Sequence, residues 1–284
     1  MSALMQRILT ALLLAPLVVA GLLWLQPTLL AIVLGLVLLP ALWEWGSFIG
    51  DKPSPSTSPS QSLRLPFFAL GTLLLLAIYF LPLAQLEWLL WLALLFWGVA
   101  FKRLLSYPTR LSLLQSSRYG RFVTGLLVLL PAWAGVLVLL RHPLLGSYYL
   151  LLLLLIIWGA DIGAYFAGRR WGRHKLASAV SPGKSIEGAV GGWLLAMLVA
   201  ALFASWMVAQ QPISMPPLFS LLLIVAVIIP VSIVGDLFES MYKRIVGVKD
   251  SGHILPGHGG VLDRIDSFTA AAPLFTLALL VTLG

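Results

Sequence analysis

Residues 151–170 read LLLLLIIWGADIGAYFAGRR: ten consecutive apolar positions, then Asp161, then a further apolar stretch closed by Arg169 and Arg170. An unbroken apolar run closed by bases suits a helix crossing a bilayer, which needs roughly 20 residues. The pattern predicts a span over Ser147–Phe166 with its basic end at the membrane surface. Asp161 then lies inside the span. A carboxylate at such a depth is costly and faces a cavity, a cation or a partner. Asp161 either serves a site or pairs with Arg169 or Arg170.

Working outward, eight more runs of this kind predict spans at Ile8–Leu25, Thr28–Trp43, Pro66–Leu83, Leu86–Phe101, Phe122–Leu140, Ala189–Ala209, Leu218–Gly235 and Phe268–Leu283. The second and fourth are short and are read as tilted, extended or partly re-entrant. The first resembles a signal peptide, but its apolar run is long and the next span follows at once, so it is read as a retained helix. The composition agrees: 60% of the 284 residues are hydrophobic and 10% charged, against roughly 25% charged in soluble domains. Cys is absent, which excludes disulfides and thiolate metal sites. If nine spans alternate, 17 of the 18 Lys and Arg, all but Arg141, fall on one side. The positive-inside rule makes that side, with the N-terminus, cytoplasmic. Topology thus accounts for the net charge of +8, and no nucleic-acid partner is expected. The basic face would attract anionic lipid head groups.

The predicted fold is an all-α, polytopic membrane protein of about nine helices. Residues 1–150 are a scaffold of about five spans, and 151–284 a catalytic region with cytoplasmic loops at 167–188 and 236–266. Residues 51–62, DKPSPSTSPSQS, form a Pro/Ser linker.

Of the ten acids, seven lie between Asp161 and Asp266. The richest stretch is 240–266, SMYKRIVGVKDSGHILPGHGGVLDRID. Lys243 and Arg244 are adjacent bases at a helix end, and Lys249 and Asp250 precede a polar loop. Pro256–Gly260 is a turn rich in backbone N–H groups. Asp263 and Asp266, three apart, share one helix face. Asp236, with Glu239 after it, ends the eighth span. Carboxylates hold Mg²⁺ through oxygen, usually with substrate phosphates completing the shell. The Gly-rich turn and the helix start after it are expected to cradle phosphate oxygens with backbone N–H groups. Lys and Arg neutralise charge on a transferring phosphorus and its leaving group. A second patch, Gly168–Glu187, carries Ser181-Pro-Gly-Lys184-Ser185, which resembles a phosphate-contacting turn with Lys184 as a point charge. His258 is expected to contact phosphate rather than a metal. No Walker or HExxH spacing occurs.

The 240–266 stretch resembles the signature of the phosphatidate cytidylyltransferase (CDP-diacylglycerol synthase) family. The resemblance rests on Ser240, Lys243, Arg244, Lys249, Asp250, Pro256, His258, Gly259, Gly260, Asp263, Arg264 and Asp266. Upstream it extends to Asp161-Ile-Gly-Ala-Tyr, Gly168-Arg169, Ser181-Pro-x-Lys184-Ser185 and Glu187-Gly188, covering about Trp158 to the C-terminus. Gly183 departs from it, at a position where many relatives carry Lys. The resemblance implies that CTP and phosphatidate give CDP-diacylglycerol and pyrophosphate. It implies a cation site of Asp236, Asp263 and Asp266 holding Mg²⁺, with K⁺ as a candidate second cation.

On this reading Lys243, Arg244 and Lys249 join the three aspartates in catalysis. Ser181, Lys184, Ser185, Glu187, His258, Gly259, Gly260, Arg264 and Asp161 bind substrate. The expected location is the inner, cytoplasmic membrane, with the site facing the cytoplasm. Membrane lipids and a homodimer partner complete the expectations. Two other readings stand beside this one. A CTP-dependent lipid kinase would release CDP instead of pyrophosphate, and a cation transporter would use Asp161 and Asp236 as ion sites.

Overall fold

The computed structural model describes residues 3–50, 63–109, 111–143, 146–210, 216–255 and 259–283. Its elements are α1 (Ala3–Trp24), α2 (Pro27–Ile49), α3 (Arg64–Tyr79), α4 (Leu83–Leu105), the single turn α5 (Leu113–Ser116), α6 (Arg118–Arg141), α7 (Ser147–Trp171), β1 (Lys175–Ala177), β2 (Ser181–Ser185), α8 (Ile186–Gln210), α9 (Leu218–Val246) and α10 (Leu262–Leu283). Each predicted span overlaps a helix, and seven of the nine overlap one of spanning length. Among the described residues, seven helices are long and apolar enough to cross a membrane, and the apolar stretches of α1 and α3 are shorter. The chain is a multi-pass helical membrane protein.

Helix ends depart from the sequence expectation in an informative way. The second and fourth spans are not short: α2 and α4 each run 23 residues. The eighth does not stop at Gly235, because α9 continues to Val246. The expected loops at 167–188 and 236–266 accordingly shrink to 172–185 and 247–261. Hydropathy ends a span at its first charge. The helix continues because its polar side chains find partners on its own buried face, leaving no backbone group exposed to lipid. The all-α expectation also misses a β-hairpin. Ser181–Ser185, expected as a turn, is the second strand, antiparallel to β1, and the turn falls at Ser178–Val180.

Without a hydrophobic difference between lipid and protein, helices associate through close packing, and small residues at the contact allow it. The α7–α8 contact shows this. A Cβ at Gly192 would lie 2.4 Å from the carbonyl oxygen of Ala160, and one at Gly163 would lie 2.6 Å from that of Gly191. At the centre stands α6, buried almost continuously from Val128 to Leu140. Against it, α2 buries Leu38, Ala41, Leu42, Trp45, Phe48 and Ile49, a stripe at helical spacing.

The two ends of the bundle differ. At one end, Arg141 of α6 donates to the carbonyls of Tyr79 and Leu81 in the α3–α4 turn. At the other lie the hairpin, the C-terminal ends of α2, α7 and α9, and the start of α10. The chemistry-bearing residues collect there.

Candidate active site

The site is built where α9 and α10 cross. A Cβ at Gly235 would meet the carbonyl oxygen of Asp266 at 2.7 Å and Ala270 Cβ at 2.9 Å. Only glycine permits this approach, and it brings the carboxylates of the two helices together. On α9, Asp236, Glu239 and Lys243 follow at helical spacing. Lys243 Nζ donates to Glu239 Oε2 (3.1 Å) and to Asp263 Oδ1 of α10 (2.7 Å). Its side chain is 10% exposed, against 3% for Glu239 and 7% for Asp263. Lys184 of β2 reaches across to Asp236 Oδ2, so the hairpin supplies a second ammonium group. Asp266 Oδ1 accepts from its neighbour's N–H, Ser267 N, at 2.6 Å.

Asp263 is the most bonded of these acids. Its oxygens accept from Lys243, from the N–H of Gly260 (2.8 Å) and from the N–H of Ser251 (3.2 and 3.0 Å). Of the N–H groups expected to cradle phosphate, Gly260 N bonds Asp263, and Val261 N and Leu262 N bond Glu44 of α2 (3.0 and 2.8 Å). The first N–H groups of a helix need acceptors, and two carboxylates of the chain itself fill that need.

The remaining predicted residues divide. Ser185 and Lys184 line a cavity of about 420 Å³ together with Asp161, Arg169, Ser232 and Ser267. Asp161 thus faces a cavity, while Arg169 donates to Tyr165 Oη (2.9 Å). Ser185 Oγ also accepts from Gly188 N (3.1 Å), capping α8. Glu187 is turned to the chain between α7 and β1, accepting from Arg173 N (3.1 Å) and His174 N (3.2 Å). Arg244 Nε donates to the carbonyl of Val180 (3.2 Å), tying α9 to the hairpin. Lys249 and Arg264 are exposed, and Ser181 opens β2. Gly259 has φ +85°, a left-handed turn that glycine adopts without strain. His258 lies outside the described residues. A second, mostly apolar cavity of about 610 Å³ lies on the far side of the hairpin, lined by Phe101, Leu104, Trp193, Ile233 and Leu237 among others.

Sequence reasoning gave Glu44 no role, as one of three acids near span ends in the first third, and noted Glu239 without assigning it. Glu44 carried a signal: an acid between Trp43 and Trp45, at the end of an apolar run. Glu239 carried another, four residues before Lys243 and three after Asp236.

The donor set is all oxygen: Asp236, Glu239, Asp263 and Asp266 at one crossing. That chemistry fits a hard divalent cation such as Mg²⁺. The Glu239 and Asp266 carboxyls of the two helices lie side by side. In the geometry described, the acids are answered by Lys184 and Lys243. Among the described residues no group of three or more acidic or histidine side chains is arranged to hold a metal.

Fold and site together define a polytopic membrane protein with an acidic and basic cluster suited to phosphoryl chemistry. Residues 5–282 match the model of the cytidylyltransferase family, and the chain belongs to that family. It is 42% identical to the phosphatidate cytidylyltransferase of Pseudomonas aeruginosa over 274 residues, 96% of each chain. It is 37% identical to that of Haemophilus influenzae, covering 95% of this chain and 96% of the relative. With that of Staphylococcus saprophyticus it shares 34% identity, covering 89% and 98%.

Proposed function

We propose that the chain transfers the cytidylyl group of CTP to phosphatidate, giving CDP-diacylglycerol and pyrophosphate, at the cytoplasmic face of the inner membrane. The observation that carries this is the α9–α10 crossing: four carboxylates and two lysines at one end of a membrane bundle, beside a cavity that Asp161, Lys184 and Ser185 line. Family membership and the relatives' names supply the reaction.

An oxygen of the phosphatidate phosphate forms a bond to the α-phosphorus of CTP. The bond from that phosphorus to the β-bridging oxygen breaks, and the electron pair leaves on pyrophosphate. The nucleophile is already anionic, so no side chain has to remove a proton, and catalysis is mainly positioning and charge stabilisation. Asp236, Asp263 and Asp266 would hold Mg²⁺, with K⁺ as a candidate second cation. Held by these residues, such a cation would supply positive charge to offset that on the phosphates. Lys184, paired with Asp236 at the cavity wall, stabilises the triphosphate. Lys243 holds Asp263 and Glu239 in place. Arg244 fixes the hairpin that carries Lys184, while Lys249 and Arg264, exposed near the site, attract the anionic substrates. The cavity lined by Asp161 and Ser185 takes the phosphates. The apolar cavity across the hairpin takes acyl chains of phosphatidate from the bilayer.

The test is pyrophosphate release by purified protein in detergent with Mg²⁺, CTP and phosphatidate, beside a control lacking lipid. Lipid-dependent release supports the reading. Formation of CDP on a lipid alcohol, without pyrophosphate, would replace it with a kinase.

A further inference from the structure

Glu44 is 2% exposed and belongs to α2, more than 200 residues from the groups that bond it. Its carboxylate is clasped on two sides. Ser251 Oγ donates to Oε2 (3.1 Å), Val261 N to Oε1 (3.0 Å) and Leu262 N to Oε2 (2.8 Å). The enclosure is tight. A Cβ at Gly252 would lie 2.4 Å from Glu44 Oε1, and one at Gly260 would lie 2.5 Å from Oε2 and 2.1 Å from Ser251 Oγ. The next residue, Trp45, is fully buried and donates through Nε1 to the carbonyl of Arg121 (3.0 Å), which anchors this turn of α2 to α6. Glu44 is therefore a fixed acceptor, with Ser251, Gly252 and Gly260 packed around it.

The same loop residues bond Asp263 from the opposite side. Ser251 gives its hydroxyl to Glu44 and its N–H to Asp263, and the 260–262 backbone gives Gly260 N to Asp263 and the next two N–H groups to Glu44. The two carboxylates share one backbone frame. We propose that Glu44 is a positioning residue for the reaction: a buried carboxylate at the start of α10 that sets Ser251 and the 260–262 backbone and thereby aims Asp263. This rests on the proposed role of Asp263 in holding Mg²⁺. An amide cannot substitute. Three donors converge on two oxygens, and the NH₂ group of Gln would face at least one of them donor to donor.

The experiment compares the full-length wild type with Glu44→Gln in detergent. Four readouts are taken: thermal unfolding midpoint, rate of tryptic cleavage after the exposed Lys249, upward shift of the midpoint by Mg²⁺, and the Mg²⁺ concentration for half-maximal pyrophosphate release. Substituting a group that orients a metal ligand typically costs 10–100-fold in metal affinity or activity. For Glu44→Gln the expected result is cleavage after Lys249 at least about tenfold faster and half-activation by Mg²⁺ raised about tenfold. The Mg²⁺-induced midpoint shift becomes smaller, and KM for phosphatidate stays within about twofold. Wild-type values in cleavage and Mg²⁺ response would overturn the proposal. So would a lowered midpoint and kcat with an unchanged Mg²⁺ requirement, since that marks a structural role only. If Glu44→Gln fails to fold, Ser251→Ala removes the hydroxyl bond alone and should move cleavage and Mg²⁺ response the same way by less; no movement overturns the proposal. A wild type that transfers no cytidylyl group would sink the functional reading, while the cleavage comparison would still decide whether Glu44 sets the loop.

Discussion

Asp263 receives a lysine ammonium and two backbone N–H groups, so its carboxylate is held in one orientation before any substrate arrives. Preorganised charge of this kind is worth most in a site shielded from water. Asp263→Asn should lower pyrophosphate release by about 10²–10³-fold, measured in detergent with saturating CTP, while the protein still elutes as a folded species. Lys243 stands between Glu239 and Asp263, all three nearly buried. Removing one partner of a buried charge group leaves the others uncompensated, at a cost of about 3–5 kcal/mol. Lys243→Met should therefore lower the denaturation midpoint, with Lys243→Arg between it and the wild type. Most of these residues were legible in the sequence because acids are rare in so apolar a chain and Asp263 and Asp266 share helical spacing. Their partners were not. Nothing in the residue order pairs Lys184 with Asp236, 52 residues away, or puts Glu44 at the start of α10.

Two helix crossings rest on glycine, and they predict different outcomes. At α7–α8, a Cβ on Gly192 would lie 2.4 Å from a backbone carbonyl, which cannot swing away as a side chain can. Gly192→Val should force the helices apart and lower stability by about 1–3 kcal/mol, read from the unfolding midpoint. At α9–α10, Gly235→Val separates the helices where Asp236 and Asp266 meet. It should abolish pyrophosphate release even where a permissive temperature restores folding, whereas Gly192→Val should recover activity there. The hairpin is the element the sequence read least well. Residues 172–185 are short and polar with one Pro and two Gly, which suits a turn. Their strand pairing depends on contacts from outside, including Arg244 to Val180.

The bundle has one chemical end. The linker between α1 and α2 lies opposite the hairpin, because α2 runs 23 residues from Pro27 toward Glu44 and the site, about 33 Å at helical rise. The sequence contains no Cys, so single introduced cysteines report without background. Ser178→Cys in the hairpin turn and Gln26→Cys between α1 and α2, both at exposed positions, should be labelled from opposite sides of the membrane by an impermeant maleimide. In intact cells Gln26→Cys should react and Ser178→Cys should react only after permeabilisation. The reverse result would invert the proposed orientation.

Residue order was enough for the class of fold and for where most of the acids and bases gather. Apolar runs of about membrane thickness can only be helices, since every backbone polar group in lipid must be bonded within its own segment. Acids and bases retained in so apolar a chain mark where burial is offset by use. Packing was needed for the site itself. Whether a charge ends a span or continues it depends on a partner from another helix, as Lys243 and Asp263 show for α9. The start of α10 reads as part of a phosphate cradle until Glu44 arrives from α2 and accepts from Val261 N and Leu262 N. That contact spans more than 200 residues, and only the bundle brings it within hydrogen-bonding distance.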